Sequence, residues 1–438
     1  MPSLSELFDR IVQRDPEHED AHELTPTARE HIRHNSAIFM GAKGLQNIAD
    51  QGAKASTVLP WAMAATGAPT WMLGLLVPIR ESGSMLPQAA LQPWVLRKPR
   101  RARVWVSGAI GEALGATVIA LSVAFLDGAL AGALILAGLA FLALSRSLTS
   151  IASKDIQGRI MPKGMRGRAT GVSTMISGVV AVTVGLAIRV FAGADVSRVA
   201  LALIIGGAAV SWALAAALFS RLREGDEQAQ NSADTDFHWV RDSLALLKDD
   251  APFRRFVIVR SLLLVSALAP PFVVALSAER SGAGMNSIAT FIIASGVAAL
   301  LGGRVSGVIS DRSSRNTMVF GAALASALVV LFVGSAFIEP LITAWWWGPL
   351  VFFLLTLVHT GVRVGRKTYV VDMAEGDQRT HYVAVANTTL GVVLLGVGGI
   401  SAVLAEFGHL VALVFLALLG LLGVLVGRTL PEVSVERE

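Results

Sequence analysis

Residues 154–185 read KDIQGRIMPKGMRGRATGVSTMISGVVAVTVG, and residues 367–398 read KTYVVDMAEGDQRTHYVAVANTTLGVVLLGVG. The two stretches align without a gap at an offset of 213, with eight of 32 positions identical: Lys154/Lys367, Arg166/Arg379, Val172/Val385, Gly178/Gly391, Val179/Val392, Val180/Val393, Val184/Val397 and Gly185/Gly398. The pattern matters more than the count. Small residues at Gly171, Gly178 and Gly185 recur as Ala384, Gly391 and Gly398. A spacing of seven puts them on one helix face, where small side chains let two helix backbones approach closely in lipid. The offset is close to half of the 438 residues, so the chain reads as two halves built on one plan. Parallel internal repeats of hydrophobic helices are a feature of transporter architectures.

Composition places these helices in a membrane. The chain is 53% hydrophobic, its charged residues are 16% of the total, below the ~25% of soluble domains, and its mean hydropathy is +0.61. Apolar runs alternate with short charged connections, and about 20 residues of helix cross the ~30 Å of hydrocarbon. Helices satisfy every backbone group within lipid, and these runs are too long for barrel strands. Twelve spans are expected, at 36–66, 70–94, 104–126, 129–153, 167–192, 196–220, 254–277, 286–309, 316–337, 343–369, 381–404 and 410–428. The expected domains are a tail at 1–35, a six-helix bundle at 36–220, a linker at 221–253, a second six-helix bundle at 254–428 and a tail at 429–438. The polar start lacks the apolar core of a signal peptide. Zero cysteines exclude disulfides and thiol chemistry.

Basic residues set the orientation. Arg97, Lys98, Arg100, Arg101 and Arg103 lie between spans 2 and 3, and Lys154, Arg159, Lys163, Arg166 and Arg168 between spans 4 and 5. Arg312 and Arg315 follow span 8, and Arg366, Lys367 and Arg379 surround the connection after span 10. The alternate connections carry Asp127, Glu339, or Glu406 with His409. Lysine and arginine excess marks the cytoplasmic side, so both termini are expected there, in a plasma membrane or a bacterial inner membrane. This bias accounts for the basic pI without nucleic acid.

In the tail, Leu4, Leu7, Phe8, Ile11 and Val12 form one apolar face, with Ser3 and Glu6 spaced as a capping box. Such a helix suits a membrane surface or the cytoplasmic loops. The linker has a polar stretch from Gly225 to Asp236, then an amphipathic helix with Phe237, Val240, Leu244 and Leu247. Trp71, Trp94, Trp105 and Trp345-Trp346-Trp347 stand near span ends, as in an interfacial aromatic belt.

The connection after span 8 reads Gly307-Val-Ile-Ser-Asp311-Arg312-Ser-Ser-Arg315-Asn316. It resembles the loop motif of the major facilitator superfamily: Gly, three residues, Asp-Arg, one residue, Gly, then two basic residues. Ser314 replaces the second glycine and Asn316 the last basic residue. The first half carries Gln92-Pro-Trp-Val-Leu96-Arg97-Lys98-Pro99-Arg100-Arg101 at an offset of 215, with Leu96 in place of the Asp. The resemblance covers nearly the whole chain. It implies an all-α membrane protein of twelve transmembrane helices in two six-helix bundles, alternating between inward-open and outward-open states. By the same resemblance Arg97, Arg100, Arg101, Gly307, Asp311, Arg312 and Arg315 brace the cytoplasmic gate, and spans 1, 4, 7 and 10 line the cavity. Drug–proton antiporter signatures are missing: span 5 has no proline, and Leu148-Thr149-Ser150 after Arg146 does not supply a Gln-Gly pair.

Charges within spans cost ~2.5–3.5 kcal/mol each at a helix centre, so each calls for a reason. Lys43, Asn47, Asp50 and Lys54 share one face of span 1, with Asp50 and Lys54 spaced to pair. In span 2, Arg80 and Glu81 lie ~100° apart; Asp50 is a partner for Arg80, and Glu81 a candidate proton carrier. Glu112 in span 3 suits a structural salt bridge. Arg146, Ser150 and Lys154 map by the repeat onto His359, Arg363 and Lys367. Arg260 lies early in span 7, where Pro270-Pro271 should bend or interrupt the helix. Lys43, Lys54, Arg146, Arg260, His359 and Arg363 against Asp50 give the cavity surplus positive charge, which favours an anion. Snorkelling covers Lys154 and Lys367.

No nucleotide-binding loop, metal-ligand cluster or nucleophile–base arrangement stands out, and His18, His22, His31 and His34 are scattered through the polar tail. The expectation is a secondary transporter rather than an enzyme, without cofactor or metal, working as a monomer in the lipid bilayer on a small organic solute, with protons as the coupling ion. The alternatives are a multidrug efflux antiporter, which calls for a mostly apolar cavity with one carboxylate, and a non-transporting receptor or assembly factor on the same scaffold.

Overall fold

The structure is a computed structural model that describes residues 30–96, 98–160, 178–180, 182–183, 197–224, 245–281, 289–298, 300–302, 313–373 and 376–433. Among these residues the secondary structure is helical. In the first half α1 spans Ile32–Gly52, α2 Val58–Ala65, α3 Leu73–Leu96, α4 Arg101–Phe125, α5 Gly128–Ile160 and α6 Arg198–Phe219. The second half contains α7 Ala251–Leu262, α8 Val265–Ser281, α9 Ser314–Ser335, the single turn α10 Glu339–Ile342, α11 Trp347–Asp372, α12 Gly376–Ala405 and α13 His409–Gly427. A further helical stretch covers Ala289–Gly302. Eight helical stretches of the described residues are long and apolar enough to cross a membrane. The expected count of twelve is consistent with this. The charged first two spans fall below that hydropathy, span 5 lies mostly outside the described residues, and span 8 partly so.

Two spans are broken helices. The sequence reading took 36–66 as one span, but α1 ends at Gly52 and α2 starts at Val58. Pro60 explains the start of α2: it lacks an N–H and its ring clashes one turn back, so it is tolerated only in a first turn. Span 7 is interrupted at Leu263 and Leu264, between α7 and α8. Pro270 and Pro271, expected to bend or interrupt this span, lie inside α8, downstream of the interruption. Within a packed bundle, neighbouring helices sustain a proline-bearing helix, so the interruption falls upstream.

The two halves repeat one packing scheme. In the first, α4 lies against both α5 and α6; in the second, α9 lies against both α11 and α13. Between halves, α3 packs along α12. The repeated small residues form this junction. A Cβ at Gly391 would stand 2.8 Å from Leu86 Cγ, one at Gly398 would overlap the Pro78 ring, and one at Gly74 would stand 2.6 Å from Ala402 Cα. In the other copy, a Cβ at Gly178 would stand 2.6 Å from Leu300 Cγ. Ser82 Oγ–H donates to the Gly391 carbonyl, 2.8 Å. Thus the seam read from the sequence joins the halves to each other. Gly171 and Gly185 lie outside the described residues.

Tied loops fasten each half at the end where its last span closes. At the end holding the start of α1 and the close of α6, Asn35 exchanges hydrogen bonds with the backbone of Arg223, 2.9 and 3.0 Å. Buried Arg101 pairs with Asp155 at 3.1 Å, and Asp155 with Arg159 at 3.0 Å. Glu224 accepts from the Ala102 N–H, 3.0 Å, at the start of α4. In the second half, Glu432 accepts from Ser313, the N-cap residue of α9, and stands 3.7 Å from Arg315. Each half therefore uses a glutamate just past its last span to hold the start of its third. Burial pushes the Glu224 carboxyl pKa up, so ionised Glu224 costs stability above the ordinary carboxylate pKa, and that cost vanishes as pH falls through the raised value. Glu224→Gln is therefore expected to retain the wild-type melting temperature, whereas Glu224→Ala should lose about 1 kcal/mol with the helix cap, read by thermal melts of purified protein.

Trp105 corrects the aromatic-belt reading. It is fully buried, stacked on Phe219 at 3.9 Å between ring centroids, and donates to Ser153 at 2.8 Å. Trp71, Trp94, Trp345 and Trp346 are exposed. The tail before Glu30, with its amphipathic face, and the linker residues Phe237, Val240 and Leu244 lie outside the described residues. Leu247 packs on the apolar cluster around Phe253 and Tyr369.

Candidate functional site: charged groups at the centre of the bundle

The first half pairs its acids. Asp50 on α1 accepts from Arg146 on α5 at 2.5 and 3.1 Å and from Arg80 on α3 at 2.7 Å. The second guanidinium nitrogen of Arg146 also reaches Glu112 on α4 at 3.2 Å. Glu112 is fully buried and accepts from Gln46 at 3.0 Å and Thr149 at 3.3 Å. The expected partner for Arg80 is in place, as is the salt bridge expected for Glu112. The expected pairing of Asp50 with Lys54 is not: the carboxylate is taken by two arginines, which donate in fixed, fork-like geometry that an ammonium lacks. Lys43 donates to Gln46 at 2.6 Å and stands 3.4 Å from Ser153. Asn47 is half-buried on the same helix.

Lys54 sits in the turn between α1 and α2, whose backbone it organises: its carbonyl accepts from the N–H groups of Thr57 and Leu59, both 3.2 Å. Its ammonium crosses to the second half, where it donates to Ser295; Ser295 in turn donates to Gln51 at 3.2 Å. The break in span 1 thus places a cation at the junction of the halves.

The second half gathers basic groups without pairing them in the same way. His359, Arg363 and Arg366 lie along α11 at intervals of four and three, one helix face. His359 meets Ser266 of α8 at 3.2 Å. Arg260 of α7 donates to Asn387 of α12 at 2.9 Å, and its Nε and that of Arg366 are buried without a hydrogen-bond partner. Lys54, His359 and Arg363 lie within electrostatic reach of one another, as do Arg363 and Arg366, and Arg366 and Arg260. Asp50 lies within electrostatic reach of Lys54, and Glu81 within reach of Arg366. Glu81 and Arg363 are exposed.

Arg366 is the site residue that sequence reasoning missed, because it was counted with the basic connection after span 10. Its spacing from His359 and Arg363 was the available signal. Ser295, Gln51 and Asn387 carried no comparable signal, since their partners come from distant segments. Of the loop motif, Arg97, Gly307, Asp311 and Arg312 lie outside the described residues. Arg100 is exposed before α4, Arg101 is buried against Asp155, and Arg315 donates to the Leu430 carbonyl at 3.2 Å.

A group of side chains converging on the centre of a two-fold repeated helical bundle is how secondary transporters build binding sites, and comparison with known proteins agrees on the architecture. Among solved structures, a D-xylose–proton symporter superposes with a TM-score of 0.69 at 12% identity, covering 92% of this chain and 99% of that one. A POT family transporter in complex with 5-aminolevulinic acid gives 0.67 at 14% identity, over 90% and 95%. The xylose transporter XylE from E. coli, in a partially occluded inward-open conformation, gives 0.66 at 11% identity, over 93% and 100%. No curated protein sequence matches the chain. The profile of the Major Facilitator Superfamily matches residues 47–398, from the polar face of α1 to the glycine seam of α12, and the chain belongs to that superfamily.

Proposed function

We propose that this secondary transporter moves a small organic anion, coupled to protons, by alternating access between bundles 36–220 and 254–428. The observation that carries the reading is the unequal pairing of charge. Asp50 and Glu112 are taken by Arg80 and Arg146, while Lys54, Arg260, Arg363 and Arg366 share one weakly compensated region. Arg260 and Arg366 are buried, and charge held away from water without an acid beside it is costly; a carboxylate or similar anion would relieve it while accepting paired hydrogen bonds from the exposed Arg363 guanidinium. Lys54 belongs to one half and the arginines to the other, so a bound anion would be held by both. The multidrug alternative calls for a mostly apolar cavity with one carboxylate, which this cluster does not resemble.

Glu81 is the proposed proton carrier. It is exposed on α3 and within reach of Arg366 across the junction. Protonating it would free Arg366 for the anion. Glu81→Gln is expected to keep anion exchange between loaded proteoliposomes and buffer, but to lose accumulation driven by an imposed pH gradient. Unchanged accumulation would remove Glu81 from the coupling step. The protein is proposed to work as a monomer, with both termini cytoplasmic.

A further inference from the structure

Two neighbouring helices of the first half end their exposed apolar stripes in arginine. On α4, Ser107, Ile110, Leu114, Leu121 and Phe125 are exposed at helical spacing and share one face. Arg103, exposed one turn before Ser107, continues that face. On α6, Val199, Leu203, Val210, Leu214 and Ala217 form a similar stripe, and Arg221, exposed just past the helix end, continues it. In a membrane protein such stripes face lipid. The rise from Arg103 to Phe125 is about 33 Å, close to the hydrocarbon thickness, which puts Arg103 at headgroup depth.

Packing brings the two arginines to one place and fixes their backbones. Trp105, two residues after Arg103, stacks on Phe219, two residues before Arg221, at 3.9 Å. Glu224 holds the Ala102 N–H at 3.0 Å, and Asn35 holds the backbone of Arg223, a third exposed arginine, at 2.9 and 3.0 Å. Among the described residues, the side chains of Arg103, Arg221 and Arg223 form no ion pair. The acids around them are committed: Glu224 to Ala102, and Asp155 to Arg101 and Arg159. Glu30 and Arg33, both exposed at the start of α1, offset each other in charge.

Two contrasts make this edge distinctive. At the other end of the same helix pair, Arg198 of α6 is neutralised by Asp127 at 2.7 Å. In the second half, the offset of 213 places neutral Asn316 where Arg103 stands, at the end of the α9 stripe of Phe320, Leu324 and Leu331. Its neighbour Arg315 is engaged by the Leu430 carbonyl and Glu432.

We propose that Arg103, Arg221 and Arg223 bind the headgroup phosphate of an anionic phospholipid, in the leaflet on the side where α1 begins. The guanidiniums donate to phosphate oxygens in paired geometry, and the acyl chains lie along the stripes of α4 and α6. Clustered basic residues at headgroup depth favour anionic over zwitterionic lipid. The lipid joins two helices of one bundle, and the proposal depends on neither the transported solute nor its coupling ion.

The test titrates full-length protein in detergent with dioleoylphosphatidylglycerol or dioleoylphosphatidylcholine and counts retained lipid by native mass spectrometry. The wild type is expected to prefer the glycerol lipid, and Arg103→Gln/Arg221→Gln to weaken its retention about tenfold or more, with choline lipid unchanged. Arg428→Gln, which removes an exposed arginine just past α13, should leave the preference intact. Millimolar inorganic phosphate should not displace the lipid. Each single variant carries the comparison where the double variant loses the wild-type melting temperature. Equal retention of both lipids by the wild type, a preference that survives both substitutions, or an equal loss in Arg428→Gln would overturn the proposal. Displacement by inorganic phosphate would assign the arginines to free phosphate and overturn it as well.

Discussion

Asp50→Asn is expected to lower the thermal stability of the purified protein and to abolish transport. Asp50 is the shared acceptor of Arg80 and Arg146, at 2.7 and 2.5 Å, and so ties α1 to α3 and α5. Asparagine keeps one acceptor oxygen and no charge, leaving two guanidiniums side by side. Removing one member of a buried ionic network costs about 3–5 kcal/mol. The side chains of Asp50 and Arg146 remain 22% and 20% exposed, which places the expected loss at the lower end, about 3 kcal/mol. Glu112→Gln should be milder, because Arg146 keeps its two bonds to Asp50. A double variant, Asp50→Asn/Arg80→Gln, should recover part of the stability by removing one stranded cation, and the cycle measures that coupling. An Asp50→Asn protein that melts and transports like the wild type would show that the network holds nothing.

Gly398→Val is expected to eliminate uptake by a different route. Its side chain would have to occupy the space of the Pro78 ring, which is fixed to the backbone and cannot swing aside. Overpacking of this kind costs about 1–3 kcal/mol, enough to displace an equilibrium between two states of similar energy. The state displaced is the one described, in which α3 and α12 are in contact. Gly391→Ala should be weaker, since its neighbour is the flexible Leu86 side chain. The chain has no cysteine, so a single Met63→Cys in α2, where Met63 is buried, reports the change directly. Labelling by a membrane-impermeant maleimide should be faster in the Gly398→Val background. Unchanged labelling together with normal uptake would mean that the seam is not the moving contact.

The architecture was legible because its signals are local and repeated. Small residues every seven positions identify a close helix contact whatever the partner is, and the repeat at 213 implied that both copies do the same work. Their partners, Pro78 and Leu86 for one copy and Leu300 for the other, were not legible, since nothing local to α12 specifies α3. The site followed the same division. Asp50 with Arg80 was readable because charges in lipid need partners and few are available. Lys54 was misassigned because helical spacing assumed a continuous span, although Pro60 already marked the break. Trp105 was misread because closeness to a span end fixes depth along the helix but not the face presented. The prolines of α8 marked span 7 as breakable, and its interruption lies upstream of them, at Leu263 and Leu264.

The central claim is that Lys54, Arg363 and Arg366 grip an anion shared between the two halves. The most direct measurement is uptake by proteoliposomes under an imposed inward proton gradient, using matched panels of organic anions, organic cations and neutral solutes, with wild type and Arg363→Gln side by side. Accumulation of one or more anions by the wild type is predicted, with a fall of about tenfold or more in the Arg363→Gln protein, the scale of a lost charged hydrogen bond. Uptake confined to cations or neutral solutes, or anion uptake indifferent to Arg363, would contradict it.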